Sequence, residues 1–183
     1  MQKSDLSRKQ KNILLDIARE TVETYVKTGV IPDFDIRDER LNRPEGAFVT
    51  LSRNGQLRGC IGLIAPAGEP LWAVIREMAI AAASEDNRFL PVEPEELEDL
   101  EYEISVLSAP EPIKDWRKIE MGKHGVIIKS GLRSGVFLPQ VAEHFHNNLE
   151  AFLSELCAGK AGLPRDYYKE KDALILIFTA QVF

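Results

Sequence analysis

The sequence contains few of the residues that form disulfides or bind soft metals. Its 183 residues include three histidines and two cysteines, Cys60 and Cys157, which lie far apart in different patterns. His144 and His146 would point to different sides of a helix, so no zinc-type cluster with recognisable spacing exists. We therefore expect no metal site, and two scattered thiols indicate a reducing cytoplasm as the compartment.

The sequence also has no long apolar run, no excess of positive charge and no phosphate-binding glycine loop. Apolar stretches such as Leu174–Phe178 fall far short of the roughly 20 residues that a membrane-spanning helix needs. Lysine and arginine total 23 against 29 acidic residues, and the net charge of −6 disfavours nucleic-acid binding except through a local basic patch. We expect no membrane segment and no bound cofactor.

Two segments show the 3.6-residue period of amphipathic helices. Over Ser7–Lys27 the apolar side chains form one stripe, and Ser7 with Gln10 predicts a capping box at its start. Pro70 opens the second segment, and the polar sequence from Ser84 onward ends it. Both segments therefore predict helices with one face against a core.

A hairpin is predicted over Gly46–Leu63, where the apolar period changes to two around Asn54-Gly55. Both turn residues tolerate positive φ, which a two-residue hairpin turn requires. Counting outward from the turn pairs Arg53 with Gln56, Leu51 with Arg58, Val49 with Cys60 and Phe48 with Ile61. In this register Arg58 and Cys60 share one face of the sheet.

Hairpins also dominate the second half of the chain. Alternation predicts a strand at Tyr102–Val106, a second hairpin over His124–Leu138 and a final, central strand within Ala173–Phe183. Helical stretches are expected at Val141–His146 and Leu149–Cys157. Because no βαβ rhythm is present, the predicted fold class is α+β, a mainly antiparallel sheet with flanking helices in a single domain.

A short internal similarity links the two hairpins. Gly46–Cys60 and Gly125–Gly135 both open with glycine and carry an arginine on the second strand, and each is followed by proline and a helix. Duplication of a hairpin–helix unit is one interpretation of this pattern. Two unrelated hairpins are an equally good interpretation of such short stretches.

The strongest candidate for chemistry is the segment Leu57-Arg58-Gly59-Cys60-Ile61-Gly62. Two glycines bracket a cysteine inside a predicted strand, where glycine costs backbone entropy, so something must approach this backbone closely. Arg58 on the same face could lower the pKa of the thiol or hold an anionic group. Cys60 is then a nucleophile or a ligand contact, or alternatively a core cysteine facing Val49.

Other candidates lie near polar turns. His124 precedes the second hairpin and is the best general base, unless it satisfies a turn backbone group. Asp86 and Arg88 form either a local ion pair or, with Arg88 beside the Cys60 strand, a second anion contact. The acids within Glu93–Glu103 have the pattern of a solvated face.

These residues carry a family resemblance. The hexapeptide at 57–62 matches the hallmark of the AMMECR-type domain family at all six positions. Further segments resemble the same family in the same order: Asp86-x-Arg88-Phe89, Glu103-Ile104-Ser105-Val106-Leu107, His124-Gly125 and Phe137-Leu138-Pro139-Gln140-Val141. Asn87 departs from the family, since many members have proline there.

The resemblance implies an α+β fold with an antiparallel sheet in two lobes, roughly 7–108 and 109–183, and a cytoplasmic setting. It also implies association with Memo-type and radical-SAM-type proteins, and no established reaction. Only motif positions carry over from the family: Arg58, Gly59, Cys60, Gly62, Arg88 and His124. From the residues themselves, Cys60 and His124 are the candidate catalytic residues. The candidate ligand-binding residues are Arg58, Gly59, Gly62 and Arg88.

Three functions remain open at this stage. The first is a small enzyme, or enzyme subunit, that binds an anionic small molecule or modified nucleotide in a Cys60/Arg58 cleft. The second is a non-catalytic adaptor that docks a protein partner through the glycine-rich strand and the hairpin tips. The third, which the net charge disfavours, is nucleic-acid binding through Arg53, Arg58, Lys129 and Arg133.

Overall fold

The computed structural model describes residues 5–183, which form two compact units. One unit comprises the chain up to Leu107 together with Gln181–Phe183, and the other comprises Ser108–Ala180. Each unit has its own four-stranded sheet and its own apolar core. Neighbouring strands pair antiparallel and helices flank the sheets, which confirms the predicted α+β class.

The described chain contains three α-helices and eight strands. The helices are α1 (Arg8–Thr28), α2 (Leu71–Ser84) and α3 (Leu149–Glu155). The strands are β1 (Ala47–Arg53), β2 (Gln56–Leu63), β3 (Leu100–Leu107), β4 (Glu111–Pro112), β5 (Gly125–Ser130), β6 (Arg133–Phe137), β7 (Leu174–Phe178) and β8 (Ala180–Val182). None of the helices among these residues combines the length and apolar character needed to cross a bilayer.

In the first unit, strand order is β2-β1-β3-β8, and α1 and α2 pack on the core face of this sheet. The capping box predicted at Ser7 and Gln10 is present: the Gln10 N–H donates to Ser7 Oγ over 3.3 Å, and Gln10 Oε1 accepts the Ser7 N–H over 2.9 Å. The buried side chains of β1, Ala47, Val49 and Leu51, face the helices.

The first hairpin turns at Asn54-Gly55 as predicted, but its register differs beyond the turn. Arg53 pairs with Gln56 and Ser52 with Leu57. The ladder is irregular at the next step, so the following pairs are Leu51 with Gly59, Thr50 with Cys60, Val49 with Ile61 and Phe48 with Gly62. The predicted partners of Leu51, Val49 and Phe48 are therefore wrong. A β-bulge leaves Arg58 as the extra, unpaired residue, which shifts every later pair by one.

In the second unit, strand order is β4-β7-β5-β6. The helical stretch predicted at Val141–His146 is a 3-10 helix over Pro139–Phe145, and Cys157 is fully buried in a π-helical turn over Leu156–Lys160. The apolar run predicted as one C-terminal strand divides after Phe178. Its first part, β7, is central as predicted, whereas β8 belongs to the other sheet.

The two units share a topology. In each, a hairpin is followed by helix and then by a strand that pairs with the first strand of the hairpin, which gives the orders β2-β1-β3 and β6-β5-β7. Gly59 faces buried Leu51 as Gly135 faces buried Ile128. This correspondence is what an internal duplication predicts. Arg58, the bulge residue, has no counterpart in the second hairpin.

Candidate functional site

Cys60 lies on the face of the first sheet opposite the core. Its cross-strand partner is Thr50, whose Oγ1 lies 3.3 Å from Cys60 Sγ and donates a hydrogen bond to it. Both residues are half-buried, whereas the neighbouring Val49 and Leu51 are fully buried on the other face. The interpretation of Cys60 as a core residue facing Val49 is therefore wrong.

An ion pair holds the backbone of Cys60. The Cys60 N–H donates to Asp86 Oδ2 over 2.9 Å, and Arg88 Nη2 donates to the Cys60 carbonyl over 3.3 Å. The same guanidinium donates to both Asp86 oxygens, from Nε over 2.8 Å and from Nη2 over 2.6 Å. Since β2 is an edge strand, this pair covers its free edge at Cys60. Asp86 and Arg88 thus form a local ion pair and also lie beside the Cys60 strand.

The charges of this pair are fixed. Hydrogen bonds from Arg88, and from the backbone of Cys60, hold the pKa of the buried Asp86 carboxyl well below its usual range. The pKa of Arg88 is raised, mainly because its guanidinium donates to Asp86, with a smaller contribution from the neighbouring Cys60 side chain. The Arg88 side chain is 52% exposed, so a permanent cation beside the thiol remains open to solvent.

Arg58 makes a different set of contacts from those predicted. Its Nε and Nη2 donate to the two carboxylate oxygens of Glu96, each over 2.8 Å, and its Nη1 and Nη2 donate to the carbonyls of Leu90 and Pro91 over 2.9 and 3.1 Å. The pKa of Glu96 falls to about 2, chiefly because of the Arg58 hydrogen bond. Glu96 was predicted to lie on a solvated face, but its side chain is only 15% exposed.

The predicted sharing of one face by Arg58 and Cys60 is wrong. Glu96 also accepts a hydrogen bond from Arg53 over 3.2 Å. Arg53 is two residues from the buried Leu51 on β1, so both side chains point to the core side of the strand. Cys60 instead contacts Thr50, which alternates onto the opposite side. The bulge therefore directs the Arg58 guanidinium to Glu96 and away from the sulfur. A cavity of about 380 Å³ beside Arg58 has Glu96 in its wall and does not include Cys60.

The close approach expected at the two glycines is made by the chain itself. A Cβ on Gly59 would overlap the carbonyl oxygen of Ala82 in α2, and one on Gly62 would overlap the ring of Phe48. Packing inside the chain therefore explains why both positions are glycine, without a ligand. Their role as ligand contacts stays a prediction.

His124 lies in the second unit and closes a turn. The ring Nδ1 of His124 accepts the backbone N–H of Glu120 over 3.1 Å. The backbone N–H of His124 donates to the Glu120 carbonyl over 2.9 Å. The neutral ring consequently carries its proton on Nε2. Burial lowers the pKa of His124, so the ring is neutral at physiological pH. Its role as a base stays a prediction.

Sequence reasoning did not place Thr50 and Glu103 in one row with Cys60. Thr50 pairs with Cys60 on one side and with Glu103 of β3 on the other, so the three side chains form a row across the outer face. Finding this row requires the register of three strands, and the bulge had hidden that register.

Within residues 5–183, no group of three or more histidine, cysteine, aspartate or glutamate side chains is arranged to hold a metal ion.

Comparison with known proteins decides the family. The AMMECR1 family model matches residues 15–183, almost the whole chain. The chain belongs to the AMMECR1 family. The resemblance first suggested by the hexapeptide at 57–62 is thereby confirmed.

Relatives align over most or all of the chain. A protein of Methanothermobacter thermautotrophicus is 40% identical and aligns over 100% of this chain and 98% of its own. Protein NEQ441 of Nanoarchaeum equitans is 41% identical, over 93% of this chain and 97% of its own. The crystal structure of protein PH0010 from Pyrococcus horikoshii superposes with a TM-score of 0.86 at 39% identity, covering 93% of this chain and 88% of that one.

Proposed function

We propose that this AMMECR1-family chain is a small cytoplasmic enzyme, or the substrate-handling subunit of one, that binds an anionic small molecule or modified nucleotide beside Cys60. Arg88 replaces Arg58 as the anion contact in this proposal. The observation that supports it is the half-exposed Arg88 guanidinium, fixed by Asp86 at the backbone of a half-buried thiol.

The two arginines differ in the donors they have left. Arg88 uses Nε and Nη2 on Asp86 and Cys60, and within the described chain its Nη1 donates to no acceptor. Arg58 uses all three guanidinium nitrogens on Glu96 and two carbonyls. A guanidinium binds carboxylate or phosphate through free N–H groups, so Arg88 is the better anchor.

The chemistry proposed for Cys60 is nucleophilic. A thiolate is the reactive form of cysteine, and a fixed neighbouring cation stabilises it against the thiol. The Thr50 hydroxyl adds a hydrogen bond to the sulfur. Because Cys157 is fully buried, Cys60 is the thiol that solvent reagents reach.

We predict that iodoacetamide alkylates Cys60 in the folded protein at pH 7. Replacing Arg88 with glutamine should slow this alkylation about 5-fold, because the adjacent cation that stabilises the thiolate is lost. Rates are measured against pH by mass spectrometry of the Cys60 peptide, which separates it from Cys157. Lys9→Gln is the charge control, since it removes an exposed cation from α1, which packs on the opposite face of the same sheet. An inert thiol, or an alkylation rate that Arg88→Gln leaves unchanged, would remove the nucleophile.

We propose further that the protein works with Memo-type and radical-SAM-type partners, and an exposed apolar side chain supports a docking surface. Leu90 is 84% exposed, and its carbonyl is fixed by Arg58 over 2.9 Å. Burying such a side chain against a partner would remove its apolar surface from water, which stabilises a complex. This surface also favours the second candidate function, a non-catalytic adaptor.

We predict that Leu90→Asp weakens capture of a purified Memo-type partner at least 10-fold and leaves the alkylation rate of Cys60 unchanged. Val30→Asp, an exposed apolar residue just after α1 and outside both hairpins, is the matched control. Capture is measured by surface plasmon resonance. Equal capture by wild type and Leu90→Asp contradicts the docking surface. If Cys60→Ala preserves cellular function while Leu90→Asp abolishes it, the adaptor function replaces the enzyme.

A further inference from the structure

The outer face of the first sheet carries three functional groups in one cross-strand row. Cys60 of β2 pairs with Thr50 of β1, and Thr50 pairs with Glu103 of β3. Adjacent strands lie about 4.8 Å apart, so the Cα atoms of Cys60 and Glu103, which are two strands apart, are separated by roughly 10 Å. Side chains directly opposite one another on one face lie close enough to touch a common ligand.

The second unit provides an internal comparison for this row. With Gly59 and Gly135 at equivalent positions, the row that follows each glycine is Cys60–Thr50–Glu103 in one sheet and Val136–Ile127–Leu176 in the other. The second row is entirely apolar. The polar character of the first row is therefore not required by the shared topology, and it distinguishes the two sheets.

The two ends of the polar row carry opposite charges that the chain leaves available. At the β2 edge, Arg88 Nη1 has no acceptor within the described chain. At the β3 end, Glu103 is exposed and has no hydrogen-bond or ion-pair partner among residues 5–183. Glu96 and Asp86, by contrast, are each neutralised by an arginine. An anion anchor and a cation anchor thus flank the thiol.

From this arrangement we infer that the ligand is amphoteric, of amino-acid or short-peptide type, with its acid on Arg88 and its amine toward Glu103. Its central part then lies over Cys60 and Thr50. The inference rests on the proposed function, since it names the substrate class of the Cys60 site. A ligand with only an anionic group would leave Glu103 without a role and would be repelled by it.

Charged thiol reagents test the inference on the intact protein. The probes are the trimethylammonium-ethyl and sulfonato-ethyl methanethiosulfonates, which form the same mixed disulfide bond with Cys60 and release methanesulfinate. In wild type, the charges of Arg88 and Glu103 set the ratio of two rates, that of Cys60 modification by the cationic reagent to that by the anionic reagent. Glu103→Gln should lower this ratio about 3-fold at low ionic strength, because a carboxylate two strands away from Cys60 attracts one reagent and repels the other. Arg88→Gln should raise the ratio.

Glu98→Gln is the matched control, since it removes the same charge from an exposed position in the 3-10 helix Pro94–Asp99. The inference predicts that this variant leaves the ratio near the wild-type value. A ratio that Glu103→Gln changes no more than Glu98→Gln overturns the amphoteric ligand and leaves the Cys60 site in place. If neither reagent modifies Cys60, the proposed function and the inference both fail.

Discussion

Replacing Gly59 with alanine is expected to destabilise the protein by about 3 kcal/mol, the upper part of the range for overpacked cores. The added Cβ would overlap the carbonyl oxygen of Ala82, which belongs to the backbone of α2 and cannot rotate away. Alanine in place of glycine usually stabilises a regular strand by roughly 0.5–1 kcal/mol. At Gly59 the overlap outweighs this stabilisation, so the free energy of unfolding falls. Equilibrium urea unfolding measures the free-energy difference.

Gly135→Ala is the matched control, because Gly135 occupies the equivalent position in the second hairpin. There an added Cβ would lie 2.9 Å from Lys160 Cβ and from the backbone nitrogen of Ala161, a smaller overlap than at Gly59, so a smaller backbone shift relieves it. We expect a loss of about 1 kcal/mol for this variant. A Gly59→Ala protein as stable as wild type would contradict the packing of α2 against β2.

The fold was predictable where a local pattern determines the structure. The capping box at Ser7, the turn at Asn54-Gly55 and the central position of β7 all follow from short-range chemistry or from apolar runs. The splitting of the C-terminal run between two sheets was not predictable. Leu174–Phe178 and Ala180–Val182 are separated by one residue with no turn signal, and only the tertiary arrangement decides which sheet each joins.

The candidate site was predictable in part. Two glycines around Cys60 correctly indicated a crowded backbone, although packing inside the chain accounts for both. Counting outward from the turn could not reveal the bulge at Arg58, because a bulge has no reliable sequence signal in a single chain. Because the bulge adds one residue to β2, the partner of Cys60 is Thr50 and not Val49. The row of Cys60, Thr50 and Glu103 could therefore not be predicted.

Replacing Arg58 with alanine is the second substitution expected to have a large effect, a loss of about 3 kcal/mol. The variant removes four hydrogen bonds and leaves the Glu96 carboxylate, 15% exposed, without its main partner. Breaking one side of a largely buried charge pair costs more than the pair itself contributes, since the remaining charge is poorly solvated. Arg53→Ala is the control: it contacts the same carboxylate but is 37% exposed, so we expect a loss below about 1 kcal/mol.

The same pair predicts how stability changes with pH. The pKa of Glu96 falls from its ordinary 4.5 to about 2 in the folded protein. A depressed folded pKa stabilises the protein fully above the unfolded value, and this contribution is lost as pH falls from about 4.5 toward 2. The stability difference between wild type and Glu96→Gln, measured by urea unfolding, should therefore be smaller at pH 3 than at pH 6. An equal difference at both pH values would mean that Arg58 does not hold Glu96 in its charged form.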